Sequence, residues 1–169
     1  MARKKKVESA HPTASVGMHG MFRINIMEDG KIVGDSGYKH NLITSSGLTN
    51  YLTYVFASSA GSQIISLAAL GSGSLVASNA TILPGSLATT LHKTVSKTFI
   101  TRAASTDGNT ARYLATWVSG TSTAQISNVG LYGVATDALF CGGTYASSSI
   151  ASNQAVNLTY DCVFIASTS

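Results

Sequence analysis

The sequence predicts a mainly β protein, an antiparallel β-sandwich or jelly-roll-like fold that carries one short amphipathic helix. In several segments, apolar residues alternate with polar ones, which is the period of a half-buried strand. Turn-forming residues recur about every ten residues, the spacing typical of sandwiches and barrels. Only one segment, near residues 45–58, has the 3.6-residue period of a helix.

Charged residues are few and unevenly placed. They make up 11% of the chain, against a usual value of about 25%. The net charge of +4 belongs to the start of the chain, which carries Arg3, Lys4, Lys5 and Lys6. From residue 9 onward, seven basic residues stand against six acidic ones. We therefore divide the chain into an extended basic arm, residues 1–15, and a single β-sandwich domain, residues 16–169.

The first predicted element is a hairpin. Residues 22–27 alternate in polarity, and residues 31–33 resume the strand after the turn Glu28-Asp29-Gly30. Gly30 can adopt the positive φ that a tight turn requires. The buried face of the first strand is predicted to carry Phe22, Ile24 and Ile26.

Residues 38–43 lead into the predicted helix, which Thr44 or Ser45 can cap. Its apolar residues have the spacing of a stripe that faces a core. The sequence Ser-Ser-Ala-Gly at residues 58–61 ends it. The stripe is predicted to be core rather than a cofactor site, and consists of Leu48, Tyr51, Leu52, Val55 and Phe56.

The middle of the chain predicts three further strands. Residues 64–70 form a short apolar strand, followed by a loop with the turn Pro84-Gly85. Residues 95–102 and 111–118 form a hairpin, whose predicted turn is Thr106-Asp107-Gly108-Asn109.

The last part of the chain is predicted to form the strands around which the rest of the fold is arranged. Residues 124–145 read as two short strands joined near Thr136-Asp137, with glycines that interrupt the first strand as at a bulge. Residues 146–149 are predicted to be a loop. The final strand, residues 155–165, is predicted to form a hairpin with the strand before it. Its inward face would carry Val156, Leu158, Tyr160, Cys162 and Phe164.

No residue pattern in the sequence predicts catalysis, a metal site or a cofactor. The four histidines are widely spaced, and none has a metal-ligand spacing with a nearby carboxylate or thiol. The run Gly71-Ser-Gly-Ser lacks the Gly-Lys-Ser/Thr ending of a phosphate-binding loop. Cys141 and Cys162 lie in predicted strands and are predicted to be buried free thiols, in a protein that stays reduced in a cytoplasm. We therefore expect a protein that is not an enzyme and binds no cofactor.

Three short segments form an ordered set. Residues 39–48 contain Asn-Leu-Ile and Gly-Leu, residues 69–74 contain Gly-Ser-Gly, and residues 126–140 contain Val-Gly-Leu-Tyr. In order and spacing, this set resembles a family of tailed-bacteriophage virion structural proteins. Asn128 stands where that family commonly has Glu, and His40 is inserted before the first segment's Asn. The family-motif positions are Asn41, Leu42, Ile43, Gly47, Leu48, Gly71, Gly73, Val129, Gly130, Leu131 and Tyr132.

The resemblance implies a β-sandwich virion component without a catalytic role. We expect a structural protein of a phage particle, made in the host cytoplasm, that assembles in multiple copies on the tail, neck or capsid surface. Its partners would be copies of itself and other virion proteins, and no apolar run is long enough to span a membrane. Alternatives are a capsid decoration protein, a coat protein whose basic arm binds nucleic acid, and a sugar-binding module that uses Trp117, although Trp117 is better explained as core.

The basic arm is predicted to dock in an acidic groove on a neighbouring subunit. Fully extended, residues 1–15 could span about 50 Å, enough to cross an adjacent subunit. The four charges would give a salt-sensitive attraction, and Val7, Pro12 and Val16 would supply other contacts. Nucleic acid is the weaker partner, because four cations neutralise few phosphates. A solvated arm without a role is the alternative.

Overall fold

The computed structural model describes residues 14–49, 65–74, 76–85, 93–94, 96–101, 109–118, 124–133 and 138–168. In these ranges the chain forms two antiparallel sheets packed face to face, which confirms the predicted β-sandwich. The elements, in chain order, are β1 (Ala14–Glu28), β2 (Lys31–Asp35), β3 (Lys39–His40), β4 (Leu42–Ile43), α1 (Ser45–Gly47), β5 (Ile65–Gly71), β6 (Lys93–Thr94), β7 (Ser96–Thr101), β8 (Asn109–Val118), β9 (Ala124–Gly133), β10 (Leu139–Ile150) and β11 (Ala155–Thr168).

Sheet A is built on the pairing of the first long strand with the last. Its strand order is β2-β1-β11-β8-β7, and β3 also pairs with β1. The alternating patterns of β1 and β11 are in register, so that Phe22 lies opposite Tyr160 and Ile24 opposite Leu158. All four side chains are buried, and the Phe22 and Tyr160 rings stack with their centroids 6.0 Å apart. The predicted inward faces of both strands are therefore correct.

The predicted first hairpin joins β1 to β2. Asp29 and Gly30 have φ values of 48° and 74°, and Glu28 pairs with Lys31 across them. Two consecutive residues with positive φ form the turn whose twist matches antiparallel strands. The Asp-Gly pair suits this turn because Gly adopts positive φ freely and Asp tolerates it.

Sheet B has the order β4-β10-β9-β5-β6. Its centre is the antiparallel β9–β10 pair, which confirms that the two strands predicted within residues 124–145 pair with each other. The predicted turn at Thr136-Asp137 lies outside the described residues. The inner faces of the two sheets enclose the main core. From sheet A it takes Phe22, Ile24, Ala111, Tyr113, Ala115, Trp117, Val156, Leu158, Tyr160 and Cys162, and from sheet B Ala68, Leu70, Ile126, Val129, Leu131, Phe140, Cys141 and Ile150.

The outer face of sheet B carries a second, smaller core. Its buried members, which we call the outer cluster, are Ala69, Val76, Leu83, Tyr132 and Leu139. Val76 and Leu83 belong to the loop after β5, so this loop lies over sheet B and shields it from water. The predicted turn Pro84-Gly85 is present there, and Gly85 has a φ of 61°.

Two predictions for the C-terminal part are wrong. β11 does not pair with β10, but lies in the other sheet between β1 and β8. Residues 146–149, predicted to be a loop, belong to β10, where Ser148 pairs with Ile126. β10 has two register irregularities, near residue 140 and between residues 144 and 148. β11 pairs instead with β1 without a register shift, so that the apolar faces of both strands lie on the same side of sheet A.

β7 and β8 pair as the predicted hairpin, with Thr101 opposite Asn109. The predicted turn residues Thr106, Asp107 and Gly108 lie outside the described residues. Thr44 caps the helix as predicted, because its side chain accepts a hydrogen bond from the Gly47 N–H. Leu48 is 48% exposed and does not join the core. The rest of the predicted stripe, Tyr51, Leu52, Val55 and Phe56, lies outside the described residues.

Candidate functional site

The first motif segment joins the two sheets. Leu42 and Ile43 form β4 and pair with Gly142 and Cys141 of β10, at the edge of sheet B. Asn41, just before them, donates through its backbone N–H to the Gly20 carbonyl of sheet A at 3.1 Å. The segment therefore fixes how β1 and β10 face each other.

Gly47 ends the first segment at a point where no side chain fits. A Cβ on this residue would overlap the Phe140 carbonyl oxygen of β10. The same carbonyl accepts a hydrogen bond from the Thr44 N–H at 3.1 Å, and the Thr44 hydroxyl donates to the Leu139 carbonyl at 2.6 Å. The start of the helix is thus held directly on the backbone of β10.

The second motif segment also needs glycine for close backbone contact. Gly71 and Gly73 lie against the turn Pro84-Gly85, and a Cβ on Gly73 would overlap the Pro84 carbonyl. The Ser72 N–H donates to the Gly85 carbonyl at 3.0 Å. These contacts fold the loop after β5 back onto sheet B.

The third motif segment supplies both faces of sheet B. Val129 and Leu131 lie in the main core, whereas Tyr132 lies in the outer cluster. The Leu83 N–H donates to the Tyr132 hydroxyl at 2.6 Å, which pins the loop to β9. Gly130 leaves room for Leu139, whose side chain a Cβ there would overlap.

Asn128, at the position where the resembled family commonly has Glu, is fully buried beneath the same loop. Its side-chain amide donates to the Pro84 carbonyl at 2.8 Å. Its Oδ1 atom is buried without a hydrogen-bond partner in the part of the chain that the structure describes. The residue therefore acts as a donor to the loop, a role that an ionised glutamate could not fill.

We expect Asn128→Asp to lower the free energy of unfolding by about 2 kcal/mol at neutral pH, since the donor is lost and a carboxylate is buried. Burial raises the pKa of such a carboxyl. A protonated carboxyl can donate to Pro84, so the deficit relative to wild type should shrink as the pH falls. Urea unfolding at several pH values measures this. Asn128→Ser, which keeps a neutral donor, is the control, and a deficit independent of pH would contradict the assignment.

The outer face of sheet A has a different character, with two arginine–aspartate pairs. Arg23 bonds both carboxylate oxygens of Asp35, and its Cζ atom lies 5.8 Å from the centre of the Tyr38 ring. Arg112 holds Asp161 in the same way, at 2.6 and 2.7 Å. The hydrogen bonds from Arg23 and then from the Gly37 N–H lower the pKa of Asp35 to about 2. Sequence analysis predicted neither pair.

A cleft of about 130 Å³ opens between β2 and β10. Two of its polar side chains are engaged within the fold. Asp35 is paired with Arg23, and the Ser36 hydroxyl accepts from the Ile24 N–H and donates to the Gly37 carbonyl. The Tyr145 hydroxyl is buried without a partner among the described residues. The cleft is therefore suited to hold water molecules. The lining residues described above do not place a nucleophile beside a base.

The arm and the cysteines are the remaining features that the sequence predicted. The arm residues Arg3, Lys4, Lys5 and Lys6 lie outside the described residues. Cys141 and Cys162 are free and buried, as predicted. Within the described ranges, no three His, Cys, Asp or Glu side chains are grouped to hold a metal ion, and no helix is long and apolar enough to cross a membrane. In comparisons with known proteins, no family model, curated protein or solved structure matches the chain.

Proposed function

We propose that this protein is a non-enzymatic structural component of a phage particle, assembled in multiple copies on its tail, neck or capsid surface. The observation that carries the proposal is the convergence of the three motif segments. Residues 39–48, 69–74 and 126–140 lie apart in the sequence but meet around β9 and β10. Because the motif positions belong to one structural unit, they support the proposal that this chain and the resembled phage proteins share a fold.

The described motif residues have roles in building the sandwich. Gly47 and Gly73 allow backbone contacts, Tyr132 anchors a loop, and Val129 and Leu131 fill the core. Such roles suit a rigid module that presents a surface to partners. They require no substrate or cofactor at these positions.

The surface that we assign to assembly is the outer face of sheet A with its edge strand β2. The loop after β5 covers the outer cluster of sheet B, although Ile82 on that loop is 66% exposed, and several apolar side chains of sheet A are open to solvent. Val118 is 75% exposed and Leu114 39% on β8, and Ile32 is 56% exposed on β2. Tyr38, Arg23 and Arg112 lie on the same side. Tyrosine and arginine beside apolar residues are the residue types enriched in protein interfaces, and an exposed sheet edge offers unpaired backbone groups to another chain.

Particle assembly with a surface variant tests the proposal. Val118→Glu places a charge on the outer face of sheet A, and we expect it to reduce incorporation into particles at least tenfold while leaving the urea midpoint unchanged. Asn79→Glu, at an exposed position on the loop over sheet B, should be incorporated like wild type. Incorporation is measured by quantitative mass spectrometry of purified virions. Absence of the wild-type protein from virions would refute the function, whereas equal incorporation of both variants would refute only the assigned surface.

A further inference from the structure

The two cysteines meet across the interior of the sandwich. Cys141 lies on β10 in sheet B and Cys162 on β11 in sheet A, and both belong to the main core. Their exposed fractions are 0% and 3%. Cys162, the Tyr160 hydroxyl and the Asn41 side chain are close enough to the Cys141 thiol to influence its pKa.

The strand registers also place Cys141 and Cys162 near each other. Cys162 pairs with Gly20 of β1, and Cys141 pairs with Ile43 of β4. The short segment 41–43 connects these two places, because the Asn41 N–H donates to the Gly20 carbonyl. Gly20 has no side chain, and a Cβ there would overlap the Asn41 side chain. Asn41 can therefore lie against β1 beside Cys162 while Ile43 pairs with Cys141.

Asn41 and Tyr160 complete a small polar cluster in this apolar interior. The Asn41 side-chain amide donates to the Tyr160 hydroxyl, which itself contacts the Cys141 thiol. The hydrogen bond holds the Tyr160 ring in place beside the thiol. Since side chains in a packed core have few alternative positions, the two sulfur atoms are kept near each other.

We propose that Cys141 and Cys162 are a redox pair that forms a disulfide between the two sheets on oxidation by hydrogen peroxide. In the first step, one thiol sulfur is oxidised to a sulfenic acid while the peroxide O–O bond breaks and water is released. In the second step, the other thiol attacks that sulfur, the S–S bond forms and a second water leaves. Two thiols and one peroxide thus give one disulfide and two waters. Disulfides that bridge the layers are known in other sandwich domains.

The surroundings of the pair determine its rate of reaction. Burial raises the pKa of the Cys141 thiol, so little of its thiolate is present at neutral pH. We therefore expect slow oxidation that accelerates as the pH rises. Both thiols are almost fully buried, with exposed fractions of 0% and 3%, so either can be attacked first and the other then attacks the sulfenic acid.

The expected consequence is a covalent link between the sheets. The bond would join β10 of sheet B to β11 of sheet A and close a loop that includes the turn between them. Closing a loop of about 20 residues restricts the unfolded chain, and the urea midpoint should rise by about 1 M. This inference does not depend on the proposed function.

The test uses the full-length folded protein. It is treated with hydrogen peroxide without denaturant, and the disulfide is sought by intact mass and by peptide mapping before and after reduction. The expected result is a monomer that has lost both thiol hydrogens, with a peptide pair joined through Cys141 and Cys162. Its urea midpoint should fall back to the starting value when the same sample is reduced.

Control measurements distinguish the proposal from nonspecific oxidation. Cys141→Ser and Cys162→Ser, treated in the same way, should gain no stability and form no internal link. Because either serine variant could fold poorly, wild type oxidised in denaturant is a second control. It shows whether both thiols react once the unfolded chain exposes them. Two free thiols after prolonged native oxidation, sulfinic acid without a disulfide, or links only between molecules would each overturn the proposal.

Discussion

Replacing Gly47 with alanine is expected to lower the free energy of unfolding by about 3 kcal/mol. The new Cβ would overlap the Phe140 carbonyl oxygen and lie 2.8 Å from the carbonyl carbon. This neighbour is the backbone of β10, which already accepts hydrogen bonds from Thr44. Relief of the overlap would therefore break the helix cap or displace a central strand of sheet B. Urea unfolding followed by circular dichroism measures the change.

The neighbouring residue provides a matched control for Gly47→Ala. Ser46 lies in the same helical turn and is partly exposed, so Ser46→Ala should change the stability by less than about 0.5 kcal/mol. A helix-propensity effect would make both substitutions neutral or stabilising. If Gly47→Ala unfolds at the same urea concentration as Ser46→Ala, the close contact with β10 is not maintained in solution.

The fold class could be predicted because its signals are local. The alternation in β1 and β11 identified their buried faces, and the Asp29-Gly30 pair identified a tight turn. Thr44 was recognised as a helix cap because capping depends on residues within one turn. Each of these signals lies within a few positions of the residue that it describes.

Strand partners could not be predicted, because pairing depends on residues far apart in the chain. β11 pairs with β1 and β8, although the sequence offered β10 as the nearest candidate. The irregularities of β10 near Phe140 and after Thr144 have no local signature.

The motif residues were found through a resemblance, and their physical roles emerged only from the structure. Gly47 and Gly73 are needed because other backbone segments approach them. The ion pairs of sheet A were missed because their partners are 12 and 49 residues apart. These ion pairs do have a signal in the sequence, which is a charged residue at an outward-facing strand position. Arg112 follows the inward-facing Ala111, and Asp161 follows the inward-facing Tyr160.

The two arginine–aspartate pairs should differ strongly in their contribution to stability. The Asp161 side chain is 5% exposed and its Arg112 partner 32%, whereas Asp35 and Arg23 are about one-third exposed each. Arg112→Ala leaves the buried Asp161 carboxylate without its counter-charge, and we expect a loss of about 3 kcal/mol. Arg23→Ala should have a much smaller effect, because water screens an exposed pair. Urea unfolding at neutral pH compares the variants.

A double-mutant cycle and a pH series separate the ion pairs from other effects. Arg112→Ala combined with Asp161→Ala should be less destabilising than the sum of the single changes, because neither charge is then left alone.

Arg23 and the Gly37 N–H lower the pKa of Asp35 from 3.8 to about 2. Its stabilising contribution is therefore present above pH 3.8 and disappears as the pH falls to about 2. Equal losses for Arg112→Ala and Arg23→Ala, or strictly additive changes at Arg112 and Asp161, would contradict the assigned difference in burial.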